Sequence, residues 1–324
     1  MQHGILARQN PSEQRNNNNG DANVANLQQL YARHTARREA IRSSKHLIKL
    51  LLELQKHRGC TLAILSGDHF FATQLHSIQR EITELFRSIQ KNAKSAVQQE
   101  DLSNLLKEWV VLRQHWPKDD PHENFLHHSN LIARLLTFIW QSCGERLVQD
   151  LDNAQQQLAR FFFKEWLDMI ETCAQARGLA THSAVIGTLS DEITSRIRFL
   201  NTQMEQLDKG LQTLLPTLQN HHQNALLKRM DNTEYAEHLQ AFMATTSEGL
   251  NRGKLDDADS LYRLGSQCVS ACQQVLWCAL HLLDHCLPQE LDAWVSGQHG
   301  AAKHVIYAKP SSTILPIAVP ASNS

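Results

Sequence analysis

Residues 47–65 read LIKLLLELQKHRGCTLAIL. Leu47, Leu51, Leu54, Leu62 and Leu65 recur in steps of three and four. That is the spacing of a helix with one buried stripe, and it excludes the strict alternation of a half-buried strand. Position 58, where the stripe asks for another leucine, holds arginine, and glycine follows it. A mid-helix glycine costs about 1 kcal/mol against alanine. An arginine on an apolar stripe must find a partner for its charge.

The same period fills the rest of the chain. It appears in Phe71, Leu75, Ile78, Ile82, Leu85 and Ile89, then in Leu102, Leu105, Trp109, Leu112 and Trp116, and then in Leu131, Leu135 and Phe138. It returns in Phe162, Trp166, Ile170 and Cys173, and in Ile193, Ile197, Leu200, Met204, Leu207 and Leu211. A weaker stretch covers 217–248, and a last stripe runs Leu261, Leu264, Cys268, Val275, Ala279 and Leu282. The eight prolines stand at 11, 117, 121, 216, 288, 310, 316 and 320, outside the long helical windows. Gly67-Asp68, Trp116–Pro121 and Ser190-Asp191-Glu192 read as breaks or caps. Eight helices with short connections predict an all-α fold of two tandem up-down four-helix bundles. The expected division is an N-terminal disordered tail (1–23), a first bundle (24–150), a second (151–290) and a C-terminal tail (291–324). The fourth and fifth helices are expected to approach one long rod near Asp150–Asp152.

Composition narrows the function classes. The chain has 324 residues, 42% of them hydrophobic and 20% charged. Its 32 Lys+Arg against 33 Asp+Glu leave a formal charge of -1, which disfavours direct nucleic-acid binding through a generally basic surface. Thirteen glycines and eight prolines are few for a sandwich or a dinucleotide-binding sheet. Seven cysteines form no CxxC pair and the N-terminus reads as no secretory leader, so a reduced, cytoplasmic setting is expected. No apolar run nears the roughly 18 residues of a membrane span, so no membrane association is expected.

The arginine on the first stripe has an echo. Arg58-Gly59 is matched by Arg177-Gly178, 119 residues further on (58 to 177). Arg177 lies on the stripe 166, 170, 173, 177, 180, 184. Two explanations stand side by side. A protein carboxylate, with Glu53, Glu171 and Asp168 nearby in sequence, would make a structural pair. A small planar anion such as carboxylate, nitrate or nitrite would match the rigid donor fork of guanidinium.

The segments LQKHRGCTLAIL (54–65) and KEWLDMIETCAQARGLATHSAVIG (164–187) resemble the two landmark segments of nitrate- and nitrite-sensing (NIT) domains, over most of residues 40–286. The resemblance implies two helical bundles that bind nitrate or nitrite through arginines between them and pass a conformational signal on. By position it implies Arg58 and Arg177 as ligands, with His57 at a flanking position that is often charged. A further arginine is implied in the seventh or eighth helix, where Arg229 and Arg252 are candidates and Arg252 is taken into the expected site. The chain departs from the pattern in placing His57 and Ala176 where the family has acids. No output module is read after Pro288, which implies a separate regulator protein as partner. Bundles of this kind often form homodimers.

Other constellations have plainer readings. His281 and His285 share a helix face beside Cys278 and Cys286, but no third ligand is set by spacing, and no metal or cofactor is expected. Cys268 and Cys272 read as small apolar core residues, and Phe161, Phe162, Phe163 and Trp166 as core aromatics. Arg33, Arg37, Arg38, Arg42, Lys45 and Lys49 read as a solvated basic face. There is no phosphate-binding loop, zinc-protease helix or nucleophile elbow, so no enzyme is expected. The expectation is a nitrate- or nitrite-responsive regulatory protein. Its rivals are a helical interaction scaffold without a small ligand, and a metal or haem sensor using His281 and His285.

Overall fold

The computed structural model describes the backbone of residues 11–68, 72–93, 96–149, 151 and 153–306, and side chains chiefly between 28 and 284. The fold is all-α, and among the described residues there is no strand. The long helices are α1 (Pro11–Leu65), α2 (Ala72–Asn92), α3 (Ala96–His115) and α4 (Pro121–Ile139). After α5 (Glu145–Gln149) and α6 (Asn153–Phe161) come α7 (Leu167–Ile186), α8 (Asp191–Leu214), α9 (Asn220–Asn232), α10 (Tyr235–Arg252) and α11 (Ala258–Ile306).

Local chemistry accounts for most boundaries. Pro11 opens α1 and Pro121 opens α4, where a missing N–H costs nothing. The Asp120 side chain caps α4 by accepting from the His122 N–H. Ser190 caps α8 by accepting from Ile193 N–H, with Asp191 and Glu192 in the first turn. Gly67, Gly187 and Gly253 take left-handed φ values of 95°, 68° and 70° at helix ends. Pro117 and Pro216 sit in the short 3₁₀ turns Trp116–Lys118 and Leu215–Thr217.

Three departures from the sequence reading are instructive. The expected N-terminal tail is helical from Pro11, as part of α1. The weak seventh helix is two, because Glu234 adopts a left-handed φ of 49° between α9 and α10. The fourth and fifth helices are interrupted by five-residue π turns, Trp140–Gly144 and Phe162–Trp166, on either side of the break near Leu151. Such turns insert one extra residue and rotate the stripe beyond them.

Residues up to Asp284 form one compact unit, and residues from His285 a second. The backbone of α11 is helical through Pro288 to Ile306, inside the segment expected as a tail. Pro288 cannot donate the helical bond to the carbonyl of Asp284, the residue where the first unit ends. Within the first unit α1 packs on α2 and α4, with α3 against both of those. Helix α7 packs on α8, α8 on α10, and α10 on α9. Helix α1 also packs directly on α7. That contact brings Arg58 and Arg177 into one neighbourhood. No helix among the described residues is long and apolar enough to cross a membrane.

Candidate functional site

Arg58 is 2% exposed, and its partner is a carboxylate. Its Nη1 donates to Glu171 Oε1 at 2.5 Å and its Nη2 to Glu171 Oε2 at 3.1 Å. Nη1 also donates to Ser129 Oγ at 3.0 Å, and the guanidinium lies 5.0 Å from the Phe125 ring centre. Glu171 is saturated from other directions, accepting from Gln55 Nε2 at 2.8 Å and Gln175 Nε2 at 2.7 Å. Gln175 in turn accepts from Arg196 Nη2 at 2.8 Å. The two charges are therefore matched, the four acceptor positions of Glu171 are filled, and three of the five Arg58 N–H groups donate within the network. Of the two explanations for Arg58, the structural pair is the one this network satisfies.

His57 points elsewhere, into the interior of α1–α4. Its ring stands edge-on to Trp109 at 4.8 Å between centres. Hydrogen bonds run in one direction through it: Gln79 Nε2 donates to His57 Nε2 (3.1 Å), His57 Nδ1 to His128 Nε2 (2.7 Å), and His128 Nδ1 to the Asn124 carbonyl (2.8 Å). These tautomers are assigned from the network, which closes only if both rings are neutral. Burial pushes the His57 pKa well below its ordinary value, with His128 adding to the effect. Burial likewise pushes His128 down to about 3. His57 is thus a core histidine and does not line the cavity described next.

Arg177 differs from Arg58 in kind. It is half-buried on the wall of a cavity of about 620 Å³ lined by α1, α2, α7 and α11. Nη1 donates to Ser266 Oγ at 3.1 Å, and the guanidinium faces Tyr262 with Cζ 5.3 Å from the ring centre. Among the described residues no carboxylate lies within ion-pair reach of it. Glu53, also on the wall, is held by Lys56 at 2.7 Å. Burial lowers the Arg177 pKa and the Arg58 charge acts in the same direction, opposed by Tyr262. A guanidinium nevertheless stays protonated at neutral pH, so the cavity wall carries a net positive charge, Arg177 and Lys56 against Glu53.

One glycine makes that placement possible, and a second stands near it. A Cβ on Gly59 would stand 3.9 Å from Arg177 Nη2, an ordinary contact. A Cβ on Gly265 would come within 2.6 Å of Arg177 Cγ and 2.7 Å of its Cβ, which no real side chain could do without displacement. Gly265 was not singled out from sequence. Its signal is a glycine inside the apolar stripe between Leu261 and Cys268. Lys56, Gln55, Gln74, Gln273, Ser266 and Ser270 are among the cavity's other polar lining residues. The Cys60 thiol is pushed up to about 11 by burial, which keeps it protonated.

The remaining expected residues lie apart. Arg252 is exposed at the end of α10, Arg229 is exposed on α9, and neither lines the cavity. His285 and Cys286 lie outside the described side chains, so the pair with His281 is not described.

The fold and site together define an all-α protein with a cationic cavity where the two Arg-Gly segments meet. Compared with known proteins, the chain matches no family model and no curated protein. Its fold is similar to the solved structure of the NasR transcription antiterminator, with a TM-score of 0.62 and 15% sequence identity. The likeness covers 86% of this chain and 76% of that one.

Proposed function

We propose that this protein is a nitrate- or nitrite-responsive regulatory protein that binds the anion at Arg177 and signals to a separate partner. The observation that carries this reading is the Arg177 guanidinium on a cavity wall, with a serine hydroxyl beside it and no carboxylate partner among the described residues. A small planar anion would take two donors of the fork and cancel the charge. The resemblance of residues 54–65 and 164–187 to NIT segments supports the same ligand, and a fold shared with a transcription antiterminator supports a regulatory role.

In this reading the helices group as two bundles, 24–150 and 151–290, and the protein acts in the cytoplasm, as a homodimer or as one chain. The anion bridges α7 and α11 through Arg177 and Ser266, on a cavity whose opposite wall is α1. It shifts the protein toward whichever arrangement of these helices holds it more tightly, and only by that difference in affinity. Of the residues expected at the ligand, Arg177 is the one the proposal keeps. Arg58 holds α1 on α7 through Glu171, His57 stays in the core, and Arg252 has no part.

The scaffold reading draws support from the same Arg58–Glu171 pair, since it leaves one fewer cation for a ligand. Calorimetric titration of the purified protein with sodium nitrate and sodium nitrite, against sodium chloride at equal ionic strength, separates the two. Saturable binding that disappears in Arg177→Ala is expected. Absence of heat together with an unchanged melting temperature would leave the scaffold.

A further inference from the structure

Three of the cysteines converge on one point. Cys268 and Cys272 are spaced i, i+4 on α11 and so face the same way. Cys173 comes to meet them from α7. The three sulfurs lie within 4.8 Å of one another, with Cys173 and Cys268 Sγ 3.5 Å apart. Met204 of α8 brings its thioether sulfur to 3.4 Å from Cys173 Sγ. All four side chains are fully buried. The α11 turn that carries two of the thiols is anchored, because Trp166 Nε1 donates to the Cys272 carbonyl at 2.9 Å.

We propose that Cys173, Cys268 and Cys272, with Met204 beside them, form a binding site for a soft monovalent metal ion, Cu(I), between α7 and α11. An ion holding thiolates at about 2.3 Å in a trigonal plane needs sulfurs about 4 Å apart, close to the spacing found. Thiolates and a thioether select Cu(I) over harder ions. No histidine, carboxylate or fourth thiol belongs to the cluster among the described residues, so the fourth imidazole, carboxylate or thiolate ligand that structural zinc takes is absent from it. Packing alone would ask only for small apolar groups. It would not require three thiols and a thioether from three helices to meet at one point. Arg177 lies one helical turn beyond Cys173 and offsets part of the negative charge the thiolates bring. Binding involves no change of oxidation state: each cysteine thiol that bonds the ion releases its proton to solvent, and the Met204 thioether has none to lose. The proposal does not rest on the anion reading.

The test is anaerobic titration of the reduced full chain with Cu(I) held as its bicinchoninate complex. Loss of the complex's colour reports transfer to the protein, and ultraviolet thiolate-to-copper absorption reports the ligand. One Cu(I) per chain is expected. Cys268→Ser and Cys272→Ala should each weaken binding by about 100-fold or more, at least the loss seen when an outer partner of a metal ligand is removed. Cys278→Ser, which alters a half-buried thiol outside the cluster, should bind as the parent does. Far-ultraviolet circular dichroism identifies variants that keep the helical fold, and only those are compared. X-ray absorption of the loaded parent chain should show a shell of sulfur alone. No transfer of Cu(I), transfer unaffected by both cluster variants, or a shell containing nitrogen or oxygen would overturn the proposal.

Discussion

Arg58 on α1 and Glu171 on α7 grip each other through two parallel hydrogen bonds, at 2.5 and 3.1 Å, across 113 residues of chain. The pair joins the two Arg-Gly segments, and it gives one of the two arginines a protein carboxylate as partner. Removing one partner strands the other as a buried charge. Arg58→Ala and Glu171→Ala should each cost about 3–5 kcal/mol in urea unfolding. The double variant Arg58→Met with Glu171→Leu should cost much less than the two losses summed, since neither charge is then orphaned. Additive losses would mean that the two side chains do not act as a pair.

Arg177 should behave in the opposite way. Arg177→Lys keeps the charge but loses the planar fork, and with it charge-assisted hydrogen bonds of roughly 1.5–3 kcal/mol each. Calorimetry should then show nitrate or nitrite binding weakened about 10- to 100-fold, while unfolding by urea changes little. Arg252→Ala should leave anion binding as in the parent.

Gly265→Ala tests the packing that aims Arg177. Alanine is favoured over glycine in a helix by about 1 kcal/mol. The new methyl group, however, would meet Arg177 near its backbone, where the chain cannot swing clear, at 2.6–2.7 Å. Overpacking of about 1–3 kcal/mol should prevail, lowering the melting temperature and weakening anion binding together. A rise in melting temperature with unchanged binding would show that α11 yields at this point.

The histidine relay sets a pH dependence. His57 and His128 are neutral in the folded chain, with His128 held near 3. Their folded values lie below the unfolded ones, so this stabilisation is complete above about pH 6.5 and is lost as the pH falls toward 3. Asp168 acts in the reverse sense. Burial, with Glu171 and Glu165 nearby, raises it to about 6, so its ionisation costs stability as the pH rises through that value. Measured in an Asp168→Asn background, the melting temperature should fall steadily between pH 6.5 and 4. His57→Leu with His128→Leu should flatten that slope. An equal slope in both proteins would place the acid sensitivity elsewhere.

Much of this was legible from residues 47–65 onward. Helical period, proline windows, the Gly67 and Ser190 boundaries and the all-α class follow from local rules: side-chain spacing, a missing N–H, a capping hydroxyl. The repeated Arg-Gly pairs were legible too, with Glu171 visible as one of three acids that could face them. Which acid faced which arginine was not, because that depends on α1 packing against α7, a contact between residues 113 positions apart. The same is true of His57. The resemblance implied it at a position flanking the ligand arginine, but a rotation of one residue, about 100° around α1, carries it into the interior of α1–α4 to meet His128. Periodicity specifies which face of a helix is buried. Only tertiary packing decides what that face is buried against, and so separates the arginine that staples the fold from the one that faces a cavity.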